Sequence, residues 1–136
     1  MQYILITLAA MWTSPYAYTD LTIDRMGSYA TPAECQQAGA VVSSLKSPGA
    51  INTAQTYTDF VCVEKTTHGE SILLVHAADQ QRPGSGIDRL FIGNLTSAEC
   101  SAAASQVAAM SFKGSALGKA LNIDVQATCT PVVPGS

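Results

Sequence analysis

The sequence has few charged residues, with seven Lys and Arg and ten Asp and Glu among 136 residues and a net charge of −3. Proteins that bind nucleic acid through phosphate contacts carry a clustered positive surface, so this composition excludes that class. No uninterrupted apolar run reaches the roughly 18 residues of a membrane-spanning helix, and no membrane span is predicted. At 47% hydrophobic residues, the chain is too apolar to be disordered. Together these absences indicate a weakly charged globular protein.

Enzyme and cofactor motifs are also lacking. No Gly-x-Ser-x-Gly elbow is present, and the carboxylates are too scattered to indicate an acid–base pair. The glycine-containing stretch at 114–120 has the wrong spacing for a phosphate loop and follows a helix instead of a strand. His68 and His76 are most simply a loop residue and a strand residue. We therefore predict that the chain has no catalytic residue, no metal site and no cofactor, and that it is not an enzyme.

The apolar segment at 4–10 has two interpretations. It has the hydrophobicity of a signal-peptide core, which would make the protein exported. However, the first basic residue is Arg25, so the positive region that precedes such a core is missing. A similar segment recurs inside the chain at 72–78, where no signal peptide can be. We therefore predict that residues 4–10 form the first strand of the fold.

An internal duplication is the most informative feature of the sequence. Four landmarks recur in order: the apolar segment 4–10 at 72–78, Ile-Asp-Arg of 23–25 at 87–89, Thr-x-x-Glu-Cys of 31–35 at 96–100, and Cys62 at Cys129. The offsets differ by only a few residues, as expected when loops change length between repeats. Two repeats are predicted, at 1–66 and 70–136.

Each repeat is predicted to run strand, strand, helix, strand. Thr31 and Glu34, like Thr96 and Glu99, have the spacing of a helix capping box. One apolar stripe follows each cap at helical intervals, starting from a cysteine; its members are Cys35, Ala38, Val42 and Leu45, and Cys100, Ala103, Val107 and Met110. The helices are predicted to end at 47–49 and 113–114, where glycine interrupts the pattern.

The strands are predicted at 4–10, 18–26 and 56–64, and at 72–78, 87–92 and 123–130. The first strand of each repeat is almost continuously apolar, which favours a central strand covered on both faces. The fold class is therefore α+β, with two tandem ββαβ repeats forming one pseudo-twofold domain whose helices pack on antiparallel or mixed sheets. Because a half of this size buries little core alone, the halves are expected to share one. They form either one six-stranded sheet or two packed sheets, and we favour the packed sheets.

The four cysteines lie at helix starts and at the ends of the third strands, which meet at the same edge of the sheet in this layout. Disulfides are therefore predicted within each repeat, between Cys35 and Cys62 and between Cys100 and Cys129. Each would close a loop of about 28–30 residues and contribute about 3.5 kcal/mol in the chain-entropy model. Two alternatives stay open: buried thiols that never oxidise, and a zinc site, although no pair has the usual Cys-x2–4-Cys spacing.

Candidate partner-binding residues come from two patterns. The repeated pairs Asp24-Arg25 and Asp88-Arg89 either bond across strands or onto the other repeat, or form a symmetric polar patch. The second pattern comprises hairpin residues that the duplication does not explain, of types enriched in binding hot spots; they are Trp12, Tyr16 and Tyr18, with Gln80, Gln81 and Arg82. In the alternative, Trp12 and Tyr16 cover the open end of the core.

The arrangement Thr31-Pro-Ala-Glu-Cys35-Gln-Gln-Ala with Phe60-Val-Cys62-Val, and its second copy ending in Cys129-Thr-Pro131, resembles small phage and prophage proteins of unknown function. Such proteins usually hold one copy, whereas this chain holds two. The resemblance implies an accessory protein that binds a protein partner, for example a phage-encoded inhibitor of a host defence protein or enzyme, in the host cytoplasm or the virion. The alternative is a structural or decorating protein of a virion, or an exported or periplasmic surface protein.

Overall fold

The computed structural model describes residues 2–13, 18–44, 54–66, 69–79, 87–110 and 123–131. Within them lie six strands and two helices: β1 (Gln2–Thr13), β2 (Tyr18–Tyr29), α1 (Pro32–Ser44), β3 (Ala54–Lys65), β4 (Ser71–Asp79), β5 (Ile87–Leu95), α2 (Ser97–Ala108) and β6 (Ile123–Pro131). Each half has the order strand, strand, helix, strand. The predicted α+β class and the duplicated ββαβ arrangement are confirmed.

The strands form two separate antiparallel sheets. Sheet A has the order β2-β1-β3 and sheet B the order β5-β4-β6, so the first strand of each half is central, as predicted. Two sheets, and not one six-stranded sheet, are therefore the observed arrangement. The strands are slightly longer than predicted: β1 includes Trp12, whose backbone pairs with Thr19 on one side and Gln55 on the other.

Both helices begin where the capping pattern predicts. Thr96 Oγ1 accepts the Glu99 N–H at 3.1 Å, and Glu99 Oε1 accepts the Thr96 N–H at 2.9 Å, which completes the capping box of α2. At α1, Thr31 Oγ1 accepts the Glu34 N–H at 3.2 Å. The predicted end of α1 at 47–49 lies outside the described residues.

Helix α2 ends earlier than predicted. Its last residue is Ala108, several residues before the expected end at 113–114. The next two N–H groups reach back only three residues, from Ala109 to Gln106 and from Met110 to Val107. Such bonds tighten and close the last turn of a helix.

Strand β1 is buried on both faces. Ile4, Leu5, Ile6 and Leu8 are fully buried, and Thr7 is only 5% exposed. This confirms the prediction for the first half. Strand β4 differs, because its residues alternate between buried and half-buried along the strand. The sequence predicted two-sided cover for both strands, and for β4 this is wrong within the described structure.

The shared core lies on the side of sheet A that faces away from helix α1. Leu5 lies opposite Cys62 on β3, and the disulfide from Cys62 to Cys35 places α1 on that face. Ile4 and Ile6 therefore point to the opposite face, since neighbouring residues of a strand alternate. There they belong to the main hydrophobic cluster together with residues of the second half.

In sheet B the shared core lies on the side that carries helix α2. Leu73 lies opposite Cys129, which is bonded to Cys100 of α2, and Leu73 is fully buried in the same cluster. Ile72 and Leu74, on the other face, are only half-buried. A twofold axis would bury the same face of both sheets. The halves meet through different faces, so the predicted pseudo-twofold relation does not extend to their packing.

The reason for this difference is visible in the central strands. The face of β1 that lacks a helix is lined by Ile4, Ile6 and Leu8. These side chains are apolar, so their burial in a core is favourable and needs no hydrogen-bond partner. The same face of β4 carries His76 where β1 has Leu8. Burial of a histidine requires hydrogen-bond partners, whereas burial of a leucine does not. The second half therefore contributes its helix-bearing face to the core.

Candidate protein-binding surface

The outer face of sheet B is the face that carries no helix, and it is defined by three rows of residues across the sheet. Two of these rows run from β5 through β4 to β6, and the third joins β4 to β6 beside the bulge in β5. Leu74 lies between Phe91 and Thr128, His76 lies between Arg89 and Gln126, and Ile72 pairs with Thr130. This face is therefore a three-stranded surface whose register is regular at the rows of Leu74 and His76.

Phe91 is the most exposed large apolar residue in the described part of the chain, at 65% exposure. It lies directly beside the half-buried Leu74 on the neighbouring strand. Aromatic side chains that lie next to aliphatic ones in this way are frequent anchors of protein interfaces, because their burial removes a large apolar area from water. Phe91 and Leu74 form the apolar centre of the outer face.

Polar residues surround this centre. Arg89 and Gln126 are exposed on either side of the half-buried His76. The Gln126 side-chain amide donates to the Asp124 carboxylate at 3.1 Å. An apolar centre with a polar rim is the usual composition of a protein interface.

A second concave feature is a groove of about 460 Å³ between the two halves. It is lined by residues of both: Tyr3, Pro32, Gln36, Cys62 and Glu64 from the first half, and Ala98, Glu99, Ala102, Ala103 and Gln106 from the second. The described lining contains no basic residue and no free thiol. Of its two carboxylates, Glu99 is already engaged in hydrogen bonds.

The Glu99 carboxylate holds the two halves together. One oxygen accepts the backbone N–H of Thr66 at 2.9 Å, and the other accepts the Thr66 hydroxyl at 3.2 Å as well as the Thr96 N–H. Burial acts to raise the pKa of Glu99, but the hydrogen bonds from Thr96 and Thr66 outweigh it and leave the pKa below its ordinary value. Glu99 is therefore a structural carboxylate that stays ionised at neutral pH.

The predicted disulfides are confirmed. Cys35 is bonded to Cys62 and Cys100 to Cys129, with Cα–Cα distances of 6.1 and 5.9 Å. No free cysteine is left, so neither the thiol nor the zinc alternative applies to these four residues. Among the described residues, no group of three or more His, Cys, Asp or Glu side chains is arranged to hold a metal ion.

The repeated Asp-Arg pairs lie in different surroundings. The Asp88 carboxylate accepts the Ile23 N–H of the first half at 2.7 Å, as expected if these charges bond onto the other repeat. Its counterpart Asp24 is exposed, and Arg25 donates to the Ser28 hydroxyl at 3.1 Å. Arg89 lies on the outer face of sheet B. The four residues therefore do not form one symmetric patch.

The two motifs also differ in register. Asp24 lies opposite Thr7, whereas Asp88 lies opposite Ala77. Thr7 of β1 corresponds in the repeat to Val75 of β4. The position of Asp88 is therefore shifted by two residues along the central strand relative to that of Asp24. The shift of two keeps both aspartates on the helix-bearing face of their sheets, although they occupy different places on it.

The hairpin candidates fall largely outside the described residues. Tyr16 lies there, as do Gln80, Gln81 and Arg82. Trp12 and Tyr18 are placed by their backbones alone, in β1 and β2. Their part in binding, and the alternative that Trp12 and Tyr16 cover the core, stay predictions.

Sequence reasoning missed Phe91 and Leu74. Both lie in short apolar runs, in which each residue has the same chance of facing the core. Only the pairing of β4 with β5 shows that they share the face without a helix. The sequence held one signal for this face, the His76 in an otherwise apolar strand.

Comparison of the chain with protein-family models, with curated proteins and with solved structures found no match. No helix in the described part of the chain is long and apolar enough to span a membrane.

Proposed function

We propose that this protein is a non-enzymatic accessory protein that binds a protein partner through the outer face of sheet B. The observation that carries the proposal is Phe91, which is 65% exposed beside Leu74 at the centre of a regular sheet face. Contiguous apolar residues on an exposed face often mark a site of interaction with another protein.

The character of this face favours a protein over other ligands. It is a sheet surface and not a closed cavity, whereas small molecules are usually bound in cavities. Arg89 is the one basic residue among those that define it, and the net charge of the whole chain is −3, which disfavours nucleic acid. Phe and Arg are both among the residue types that are enriched in protein–protein interfaces.

The resemblance to small phage and prophage proteins supports a finer form of the proposal. In this form the partner is a host defence protein or a host enzyme, which the protein inhibits by occupying a surface. Its place of action is then the host cytoplasm or the virion.

The two disulfides favour a second candidate. Disulfides form and persist in oxidising surroundings, such as the periplasm, the cell surface and the surface of a virion. A structural or decorating protein of a virion, or an exported surface protein, fits this chemistry. Its contact surface would be the same outer face.

One experiment tests both candidates. Immobilised oxidised protein is exposed to host lysate and, separately, to purified virions, and is compared with Phe91→Asp. The matched control is Ser105→Asp, which adds the same charge at an exposed position of α2. We expect the wild type and Ser105→Asp to retain a host protein, for an inhibitor, or virions, for a decorating protein, and Phe91→Asp to lose it. Equal retention by Phe91→Asp would show that the outer face is not the binding surface.

A further inference from the structure

The interface between the two halves uses one surface from each. The first half contributes the face of sheet A that carries no helix, and the second half contributes its helix-bearing side, including α2, which contacts both sheet B and β3. Each half contains both kinds of surface because of the duplication. One surface of each kind is therefore left over: the outer face of sheet B and the helix side of the first half.

The outer face of sheet B is the repeat counterpart of a buried surface. Ile72 and Leu74 occupy in β4 the positions that Ile4 and Ile6 occupy in β1. Ile4 and Ile6 are fully buried beneath the second half, whereas Ile72 and Leu74 are half-buried. The outer face of sheet B is therefore apolar at the positions where the corresponding face of sheet A is covered by the second half.

Helix α1 shows the complementary difference. Ala103 and Val107 of α2 are 1% and 0% exposed. Their counterparts in α1, Ala38 and Val42, are half-buried. Val41, next to Val42, is 60% exposed. Its counterpart in α2 is Gln106, which lines the groove between the halves. On the corresponding side of α1, Ala38 and Val41 are apolar, whereas Glu34 and Gln37 are polar and exposed.

Two carboxylates show the same difference between the halves. Asp88 and Glu99 of the second half each accept a backbone N–H of the first half, from Ile23 at 2.7 Å and from Thr66 at 2.9 Å. The motif counterparts of these carboxylates are Asp24 and Glu34, and both are exposed. Within the described part of the chain, neither of these two carboxylates accepts a hydrogen bond.

We propose that the partner of the outer face is a second copy of this chain, which binds through the helix side of its first half. This inference rests on the proposed role of the outer face as a protein-binding surface. The contact repeats between chains the packing that joins the halves within one chain, where α2 contacts β3 and β2 contacts β5. By this correspondence α1 of one copy, with Val41 and Ala38, lies against β6 of the next copy, and β2 lies against β5, which carries Phe91. Because the two surfaces differ, the association is head to tail, and it continues into larger oligomers or closes into a ring.

Complementation between two variants tests the proposal. Phe91→Asp removes the sheet surface and keeps the helix surface, while Val41→Asp does the reverse; both residues are exposed, so both variants are expected to fold. The matched control is Ala40→Asp on the same helix, because its α2 counterpart Ser105 stays exposed beside the internal interface. Sedimentation velocity of the oxidised full chain, from micromolar to millimolar concentration, gives the mass of each sample.

We expect the mass of the wild type and of Ala40→Asp to rise with concentration beyond that of a dimer. Each of the two interface variants alone stays a monomer, and their equimolar mixture forms a dimer and nothing larger. Thr128→Arg, a second change on the outer face, is expected to behave as Phe91→Asp does.

The other outcomes separate the two proposals. If Val41→Asp alone forms dimers and Phe91→Asp does not, the outer face pairs with itself, which overturns the head-to-tail partner and keeps the binding face. If the wild type is monomeric throughout and yet retains a host protein or virions through Phe91, the second copy is not the partner. Assembly of Phe91→Asp like the wild type overturns the second copy as the partner of the outer face, and retention of a host protein or virions by Phe91→Asp overturns the binding role of that face.

Discussion

The carboxylate of Glu99 accepts the backbone N–H of Thr66 at 2.9 Å, although the two residues belong to different halves of the duplication. The same carboxylate accepts the N–H of Thr96 and so completes the cap of α2. One side chain therefore fixes both the start of the helix and the end of β3. In the first half the corresponding Glu34 is exposed and has no such role.

This difference predicts unequal effects of the same substitution. Glu99→Ala is expected to lower the free energy of unfolding by about 1–3 kcal/mol, because it removes charged hydrogen bonds to two backbone N–H groups. Glu34→Ala, the matched control, is expected to cost at most about 0.5 kcal/mol, as is usual for exposed positions. Urea unfolding with both disulfides intact measures the two values. Equal costs would contradict the cross-half role of Glu99.

The pH dependence follows from the same contacts. The pKa of Glu99 is lowered from 4.5 in the folded state, so the folded protein holds this proton less tightly than the unfolded chain does. The stability that Glu99 contributes is therefore fully present above about pH 4.5 and is lost as the pH falls through the folded-state pKa. Unfolding at pH 7 and at pH 3 should show a larger acid loss for the wild type than for Glu99→Gln. The same acid loss in both proteins would argue against a depressed pKa.

Equivalent residues of the two central strands provide a second matched pair. Ile6→Ala is expected to cost about 2–5 kcal/mol, because Ile6 is fully buried between the halves and its removal leaves a cavity. Leu74→Ala, at the same position of the second half, is expected to cost about 1 kcal/mol, since the half-buried side chain loses less contact. Thermal or urea unfolding gives both values. If the two costs are equal, the two sheets bury the same face and the assignment of the outer face is wrong.

The sequence alone was sufficient for the order of elements and for the disulfides. Capping residues and apolar intervals at Thr96 and Glu99 marked the helix start because these signals are local, and they lie within one turn of each other. The pairing of Cys35 with Cys62 followed from the repeat, since both halves had to satisfy the same layout. Local signals and repetition together define each half.

The way in which the halves meet was not predictable in the same way. The segments 4–10 and 72–78 are both nearly continuous apolar runs, so neither indicates which face meets the other half. That choice depends on contacts more than 60 residues apart in the chain, such as Ile23 with Asp88. A bulge adds to the difficulty, because the register of β4 with β5 shifts between Ser71 and Leu73, near Asn94 at φ 61°. Gly93 and Asn94 tolerate the backbone angles of a bulge, but these residue types also occur in ordinary turns and do not by themselves fix the shift.

Two glycines distinguish close packing from open space. A Cβ added at Gly69 would collide with the backbone of Leu95 and Thr96, whereas one added at Gly93 would meet no atom within 4 Å. We expect Gly69→Ala to lower the free energy of unfolding by about 1–3 kcal/mol, as overpacking usually does. Gly93→Ala is expected to be neutral or to stabilise by up to about 1 kcal/mol through the unfolded chain. Urea unfolding of the two variants tests this, and a neutral Gly69→Ala would show that the segment between the halves is not closely packed on Leu95.

The two disulfides provide the last prediction, because they close loops of nearly equal length. Their sequence separations are 27 and 29 residues, so the chain-entropy contribution of each is expected to be about 3–4 kcal/mol. Their surroundings differ, since Cys100 belongs to the core cluster shared by the halves and Cys35 does not. Replacing Cys100 and Cys129 by alanine is therefore expected to destabilise the protein more than replacing Cys35 and Cys62. Calorimetric melting of both double variants, compared with the fully reduced wild type, measures the difference. A greater loss of stability from replacing Cys35 and Cys62 would place the more important packing at α1 and would contradict a core centred on α2.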